Sequence, residues 1–245
     1  SGAKVLLTID HFMGIDYLTM LGDQDLGDLE QTVVLRDESE GSVTDWADLP
    51  ELGQNVDEAV IEERLSQLAP DDLADILYTS GTTGLPKGVM SSHGQTLRAS
   101  TDWASIVGLR AGDRYLVVNP FFHSFGYRAG IVACLATGVT MVTQAVFDVS
   151  AAMRDIEEQQ ISVFPGPPTT YQTMLNHPGL EDYDLSSLRL AVTGAATIPV
   201  ALVERMRAEL GFETVITAYG LSEATGFVTI CRQGDDPETV ATTSG

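Results

Sequence analysis

Eleven consecutive residues, Tyr78-Thr79-Ser80-Gly81-Thr82-Thr83-Gly84-Leu85-Pro86-Lys87-Gly88, bring together three glycines, four Ser/Thr hydroxyls and a lysine. Glycines permit positive φ and a close approach of backbone to ligand. The hydroxyls donate hydrogen bonds, and successive backbone N–H groups in such a turn form an anion-binding nest. The chemistry implied is phosphate binding. It is not the Walker arrangement, in which position 86 would be Gly and position 88 Ser or Thr; the chain has Pro86 and Gly88 there. A plain Gly-rich turn would not require all of these residue types at once.

Three other segments carry candidate chemistry. Thr217-Ala218-Tyr219-Gly220-Leu221-Ser222-Glu223 offers an aromatic face, a hydroxyl and a carboxylate. Such a carboxylate suits a hard cation shared with phosphate oxygens, although a Tyr-Gly turn with a solvated Glu is common by itself. Val192-Thr193-Gly194-Ala195-Ala196 is built of small residues that would let a planar ring lie against backbone, or it is an ordinary strand-to-helix loop. Pro120-Phe121-Phe122-His123-Ser124-Phe125-Gly126 sets one histidine among aromatics. No Ser–His–Asp nucleophile set is apparent, and a reaction whose nucleophile is the substrate itself needs none.

YTSGTTGLPKG resembles the phosphate-loop signature of the adenylate-forming superfamily, which includes acyl-CoA synthetases, luciferases and peptide-synthetase adenylation domains. The other three segments are similar to that family's Y-G-x-T-E, adenine-pocket and P-x-F-H-x-x-G gate motifs, in family order. Ser222 stands where most members have Thr, which keeps the hydroxyl. The resemblance implies ATP, Mg²⁺ and coenzyme A as cofactor and co-substrates, and an acid–thiol ligase that forms an acyl-adenylate and then a thioester. By resemblance, Thr79, Ser80, Gly81, Thr82, Thr83 and Gly84 bind phosphate, and Lys87 is a mobile countercharge. Gly194, Ala195, Ala196, Ala218, Tyr219, Gly220 and Ser222 bind the nucleotide, with Tyr219 stacked on adenine. Thr79 and Glu223 hold Mg²⁺, and His123 borders the acyl carboxylate. Lys87, Ser222, Glu223 and His123 are the catalytic candidates.

These motifs need elements to aim them. Helical periodicity is expected at 57–68, where Val60, Ile61, Leu65 and Leu68 share a face, and again at 94–106, 125–137 and 199–210, the last with Pro199 in its first turn. A further helix is capped by Asp148 or Ser150. Strands are expected at Ala74–Thr79, Val89–Ser91, Arg114–Val118, Val139–Val142, Ile161–Phe164, Leu188–Val192, Val215–Ala218 and Phe227–Cys231. The alternation predicts an α/β fold of layered, largely parallel sheets with flanking helices, whose ligands gather at the carboxyl ends of the strands. Each candidate segment directly follows one of these strands.

The composition narrows the partners. Against 35 acidic residues stand 13 basic ones, a formal net charge of −22, which makes nucleic acid and anionic membrane poor partners. The uncharged run 129–147 reads as a buried helix to Thr137 and a strand from Val139, not as a membrane span. Cys134 and Cys231 lack metal-like spacing and read as free thiols in a reducing cytoplasm.

The resemblance implies a fragment of a large N-terminal domain. Residues 1–111 would form a partial first subdomain with the phosphate loop, and 112–245 a second with the gate, adenine and Mg²⁺ motifs. The C-terminal mobile domain would lie outside the chain, as would its catalytic Lys and the ribose-binding Asp, leaving the isolated piece inactive. A homo-oligomer is compatible with the sequence. The substrate is expected to be a carboxylic acid without an α-amino group, because Phe122 stands where amino-acid adenylation domains carry an amine-anchoring Asp, with Phe121, Phe125 and Tyr127 around His123. Stretch 161–199 resembles actinobacterial fatty-acyl and ring-propanoate CoA ligases, placing the activity near fatty-acid metabolism. An amino-acid or aryl-acid adenylation domain, and a non-catalytic nucleotide-binding fragment, stay open as alternatives.

Overall fold

A computed structural model describes residues 2–36, 43–81 and 84–245. Contacts divide the chain at Leu68/Ala69 into two compact units. The boundary expected at 111/112 falls inside the second of them.

In the first unit, Val5–Thr8 pairs in parallel with Gln31–Val34, which pairs with Thr44–Asp45, and Val33 and Val34 are buried. The expected helix spans Glu58–Gln67, capped by the Asp57 side chain, which accepts from the Ala59 N–H. Its apolar positions Val60, Ile61 and Leu65 have the right periodicity but are exposed, as is Leu68.

The second unit begins with a hairpin. Leu73–Thr79 runs antiparallel to Lys87–Ser92, with Thr79 opposite Lys87, so the phosphate-loop segment is the hairpin's tip. This pair departs from the expected parallel pattern because only seven residues separate Thr79 from Lys87, too few for a crossover. Ser92 then opens helix His93–Val107 with a capping box: its hydroxyl accepts from the Gln95 N–H, and the Gln95 side chain accepts from the Ser92 N–H.

The main sheet follows the expected α/β alternation. Arg114–Val117 lies parallel to Thr140–Thr143, and Leu190–Gly194 lies parallel to Thr214–Tyr219. Val163 joins the two pairs by single parallel bridges to Tyr115 and Leu190. The strand expected over Ile161–Phe164 is therefore reduced to one bridging residue, since Pro165, Pro167 and Pro168 remove the donors that would extend it. Likewise Phe227–Cys231 shrinks to Thr229–Ile230, antiparallel to the last parallel strand. The helix expected at 125–137 comes in three consecutive pieces: Ser124–Gly126, a π-helical turn Tyr127–Val132, and Ala133–Thr137, stopped by left-handed Gly138.

Asp148 rather than Ser150 caps Val149–Gln159, and Ser150 hydrogen-bonds His177 Nε2 instead. Pro199 is the cap of helix Val200–Glu209 rather than a first-turn residue. Between sheet and helices lie Tyr115, Leu116, Met153, Ile156, Phe164, Tyr171, Val203 and Met206, all essentially inaccessible. Each large aliphatic or aromatic side chain so buried contributes roughly 1.5–3 kcal/mol. At the amino end of the sheet Arg189 donates to Asp113 at 2.6 Å, and Ser162 Oγ donates to the same carboxylate at 2.8 Å. That buried cluster ties three neighbouring chain segments together at the end opposite the motifs.

Candidate nucleotide site

At the carboxyl ends of the two central parallel strands, Gly194 pairs in register with Ala218. The loops that follow, Ala195–Ala196 and Tyr219–Gly220, therefore leave the sheet side by side. Ala195 adopts φ +64°, a strained value for a residue with a Cβ, of the kind concentrated at functional sites. Gly220 lies so close to the Gly226 carbonyl oxygen that any side chain would collide with it.

These loops border a cavity of about 620 Å³. The gate residues His123, Ser124 and Phe125 line it, as do Gly194, Ala195 and Ala196, and Ala218, Tyr219 and Gly220. Three segments far apart in sequence thus share one opening. Among the described residues its lining holds no Asp, Glu, Lys or Arg. A neighbouring cavity of about 710 Å³ carries the charged groups Arg98, Asp102, Arg232 and Asp235.

His123 starts the short gate helix by accepting the Phe125 N–H at Nδ1, 3.1 Å away. A neutral His123 with Nδ1 used as acceptor carries its proton on Nε2. Tyr219 is half exposed, leaving a ring face open. Ser222 and Glu223 sit in a 3₁₀ turn, Ser222–Ala224, beyond the cavity rim. That turn packs alongside strand Lys87–Ser92 of the hairpin. Glu223 is exposed, and among the described residues neither its side chain nor that of Lys87 has a hydrogen-bond or ion-pair partner. Thr79 is half-buried, Ser80 and Gly84 are exposed, and Gly81 takes φ +60°. Thr82 and Thr83 lie outside the described residues. Thr79, Ser80, Gly81, Gly84 and Lys87 do not line the cavity; they occupy the neighbouring hairpin tip.

The aromatic wall differs from the expected one. Phe122 is 81% exposed and Phe121 45%, and neither lines the cavity, nor does Tyr127. The chain turns at 120–123, where His123 N–H donates to the Pro120 carbonyl, and this turn throws both rings outward. Their place is taken by Trp103, stacked on Phe227 at 4.5 Å and edge-on to Phe125 at 5.9 Å. Neither Trp103 nor Phe227 stood out in the sequence. Helical spacing marks Trp103 only as a buried position, and no local pattern links it to Phe227.

Comparison with known proteins identifies the family. The family model described as AMP-binding enzyme matches residues 1–245. A 7a-methyl-1,5-dioxo-octahydroindenyl-propanoyl:CoA ligase of Mycobacterium tuberculosis is 49% identical over the whole chain, which covers 48% of that relative. The ligase of the same description from Rhodococcus jostii is 45% identical, with 98% of this chain and 47% of that one matched. The chain spans about half the length of the curated relatives it matches. The anthranilate CoA ligase AuaEII, solved in complex with anthranoyl-AMP, superposes with a TM-score of 0.82 at 25% identity, over 96% of this chain and 44% of that structure. Motif order, strand-end placement and a match along the full length lead to one assignment: the chain belongs to the AMP-binding enzyme family.

Proposed function

We propose that the chain forms the nucleotide- and acyl-binding part of an AMP-forming acid–CoA ligase, which joins a carboxylic acid to ATP and then to the thiol of coenzyme A. The carrying observation is the convergence of the gate, small-residue and Tyr-Gly segments on one uncharged cavity at the strand ends. In the first step the substrate carboxylate oxygen bonds to the α-phosphorus as the bond to pyrophosphate breaks. In the second, thiolate sulfur replaces AMP at the acyl carbon. Such chemistry depends mainly on positioning and on stabilising developing charge.

The hairpin tip would cradle the triphosphate with its backbone N–H groups and the hydroxyls of Thr79, Ser80, Thr82 and Thr83, and Lys87 would supply the positive charge. Tyr219 offers its open face to adenine, with Gly194, Ala195, Ala196, Ala218 and Gly220 allowing the ring to lie against backbone. Ser222 is a further donor. His123 Nε2–H would donate to the acyl carboxylate. The unpartnered Glu223 carboxylate and the Thr79 hydroxyl fit a hard, oxygen-seeking Mg²⁺. When bound, that ion would neutralise phosphate charge.

The cavity's volume suits a compact acid. Without a carboxylate in its lining, an α-ammonium would lose hydration with no ion-pair compensation, a cost of several kcal/mol. A ring or chain instead gains roughly 0.8 kcal/mol per buried methylene. The substrate is therefore an acid lacking an α-amino group, and the named substrate group of the two ligases at 45–49% identity makes a fused-ring propanoate the first candidate. Fatty and aryl acids follow. No helix among the described residues is long and apolar enough to cross a membrane, and the two buried free thiols support a reducing, cytoplasmic setting.

Pyrophosphate exchange and CoA-thioester formation by the full-length protein, measured across a panel of acids, test the reading. A fused-ring propanoate should be activated and an α-amino acid ignored. A best substrate bearing an α-amino group would overturn the substrate class. Indifference to coenzyme A would remove the ligase half, and nucleotide binding without exchange with any acid would leave a binding module.

A further inference from the structure

Arg128 is completely buried in a chain of net charge −22. It lies in the π-helical turn that directly follows the gate residues 123–126. Its Nη2 donates to Asp75 Oδ1 and to Ser91 Oγ, both at 2.7 Å. Asp75 and Ser91 face each other in register across the hairpin that carries the phosphate-loop segment. The other Asp75 oxygen accepts from Thr96 on helix His93–Val107 at 2.9 Å. The arginine's stem reaches a third place: a Cβ built on Gly226 would meet Arg128 Cδ at 3.6 Å and Ser124 Cβ at 3.5 Å. Gly226 closes the turn after Tyr219–Glu223 by donating its N–H to the Leu221 carbonyl at 3.0 Å.

From these contacts we infer that Arg128 is a positioning residue that holds the phosphate-loop hairpin, the gate and the Tyr219–Glu223 turn in mutual register for nucleotide binding. The inference rests on the adenylation reading above. One residue connects all three: its head bonds the hairpin, its stem lies beside Gly226 of the turn, and its backbone continues the gate helix. Stability does not account for a charge here. Among the described residues Nε and Nη1 have no hydrogen-bond partner, so the guanidinium is desolvated with part of its donor set unused, and apolar packing would serve the core better. What the guanidinium provides instead is one terminal NH₂ group whose two N–H bonds reach both strands of the hairpin at once. A π-helical turn is rare and recurs at functional sites, and it continues the chain from gate to arginine.

The test uses the full-length protein, pyrophosphate exchange and thermal melting. Arg128→Met leaves Asp75 buried without its partner and should lower the melting temperature. The pair Arg128→Met with Asp75→Leu removes both charges and should regain it. If Arg128 positions the motifs, the pair still loses about tenfold or more in kcat/KM for ATP, while KM for the acid stays within about twofold. Recovery of both stability and ATP use by the pair would reduce Arg128 to a structural residue and overturn the inference. Should the pair not fold, Ser91→Ala removes one hairpin contact without stranding a charge. It should raise KM for ATP several-fold with a smaller fall in melting temperature than Arg128→Met gives, and an unaltered KM overturns the inference. A wild-type protein that exchanges pyrophosphate with no acid defeats the adenylation reading and this inference together. With an active wild type, the variants decide the inference alone.

Discussion

Gly194 and Ala218 face each other at the ends of neighbouring parallel strands, so closely that a Cβ on Gly194 would lie 2.6 Å from the Ala218 carbonyl oxygen. The two loops bordering the cavity diverge from this contact. Gly194→Ala should push the strand ends apart at a cost of roughly 1–3 kcal/mol, the usual range for overpacking. The expected fall in melting temperature is about 2–4 °C per kcal/mol. Nucleotide binding should weaken with it. Unchanged melting and binding would mean that the strand ends separate freely.

Lys87 is exposed at the base of the hairpin tip, with no ion-pair partner among the described residues. Lys87→Ala should leave the fold intact and remove one charge-assisted contact to the triphosphate, worth roughly 1.5–3 kcal/mol. ATP affinity, measured by titration of the full-length protein, should fall about 10- to 100-fold. Equal affinity in variant and parent would refute the phosphate role.

Glu223→Gln keeps the shape of an exposed, unpartnered side chain while removing its charge. Folding should be unaffected, and the Mg²⁺ concentration needed for half-maximal pyrophosphate exchange should rise. A variant with the parent's Mg²⁺ dependence and rate would make Glu223 a surface acid.

Burial pushes the Cys134 thiol up from 9.0 to about 12, and it raises the Tyr115 and Tyr171 phenols as well. These groups stay protonated in the folded chain over a range where the unfolded chain releases protons, so folding stability falls as pH rises. For Cys134 the contribution is complete below pH 9 and is lost progressively between 9 and about 12. Folding stability should therefore decline from about pH 9 upward, by at most about 1.4 kcal/mol per pH unit for each group, and the melting temperature with it. At pH 8 the native protein should resist thiol reagents, whereas the unfolded chain titrates both cysteines. Fast labelling of native Cys134 would contradict its burial.

The candidate segments were legible without a structure because each is short and contiguous. The run Tyr78–Gly88, the small residues Val192–Ala196, the gate Pro120–Gly126 and the turn Thr217–Glu223 each declare a residue-type requirement, and strand-then-loop order implied that they meet at strand ends. Capping was similarly local: Asp148 starts its helix by accepting the N–H of Ala151, three positions on. What depends on residues far apart was not legible. Hairpin pairing of Thr79 with Lys87, the two bridges made by Val163, and the outward Phe122 follow from backbone paths that no side-chain pattern specifies. Trp103 against Phe227 closes the cavity, and Arg128 meets Asp75 across 53 residues of sequence. In both contacts, each partner alone is an ordinary helix or strand residue. Packing is a property of pairs, so only the folded chain decides which apolar ring becomes a wall and which buried charge finds its counterpart.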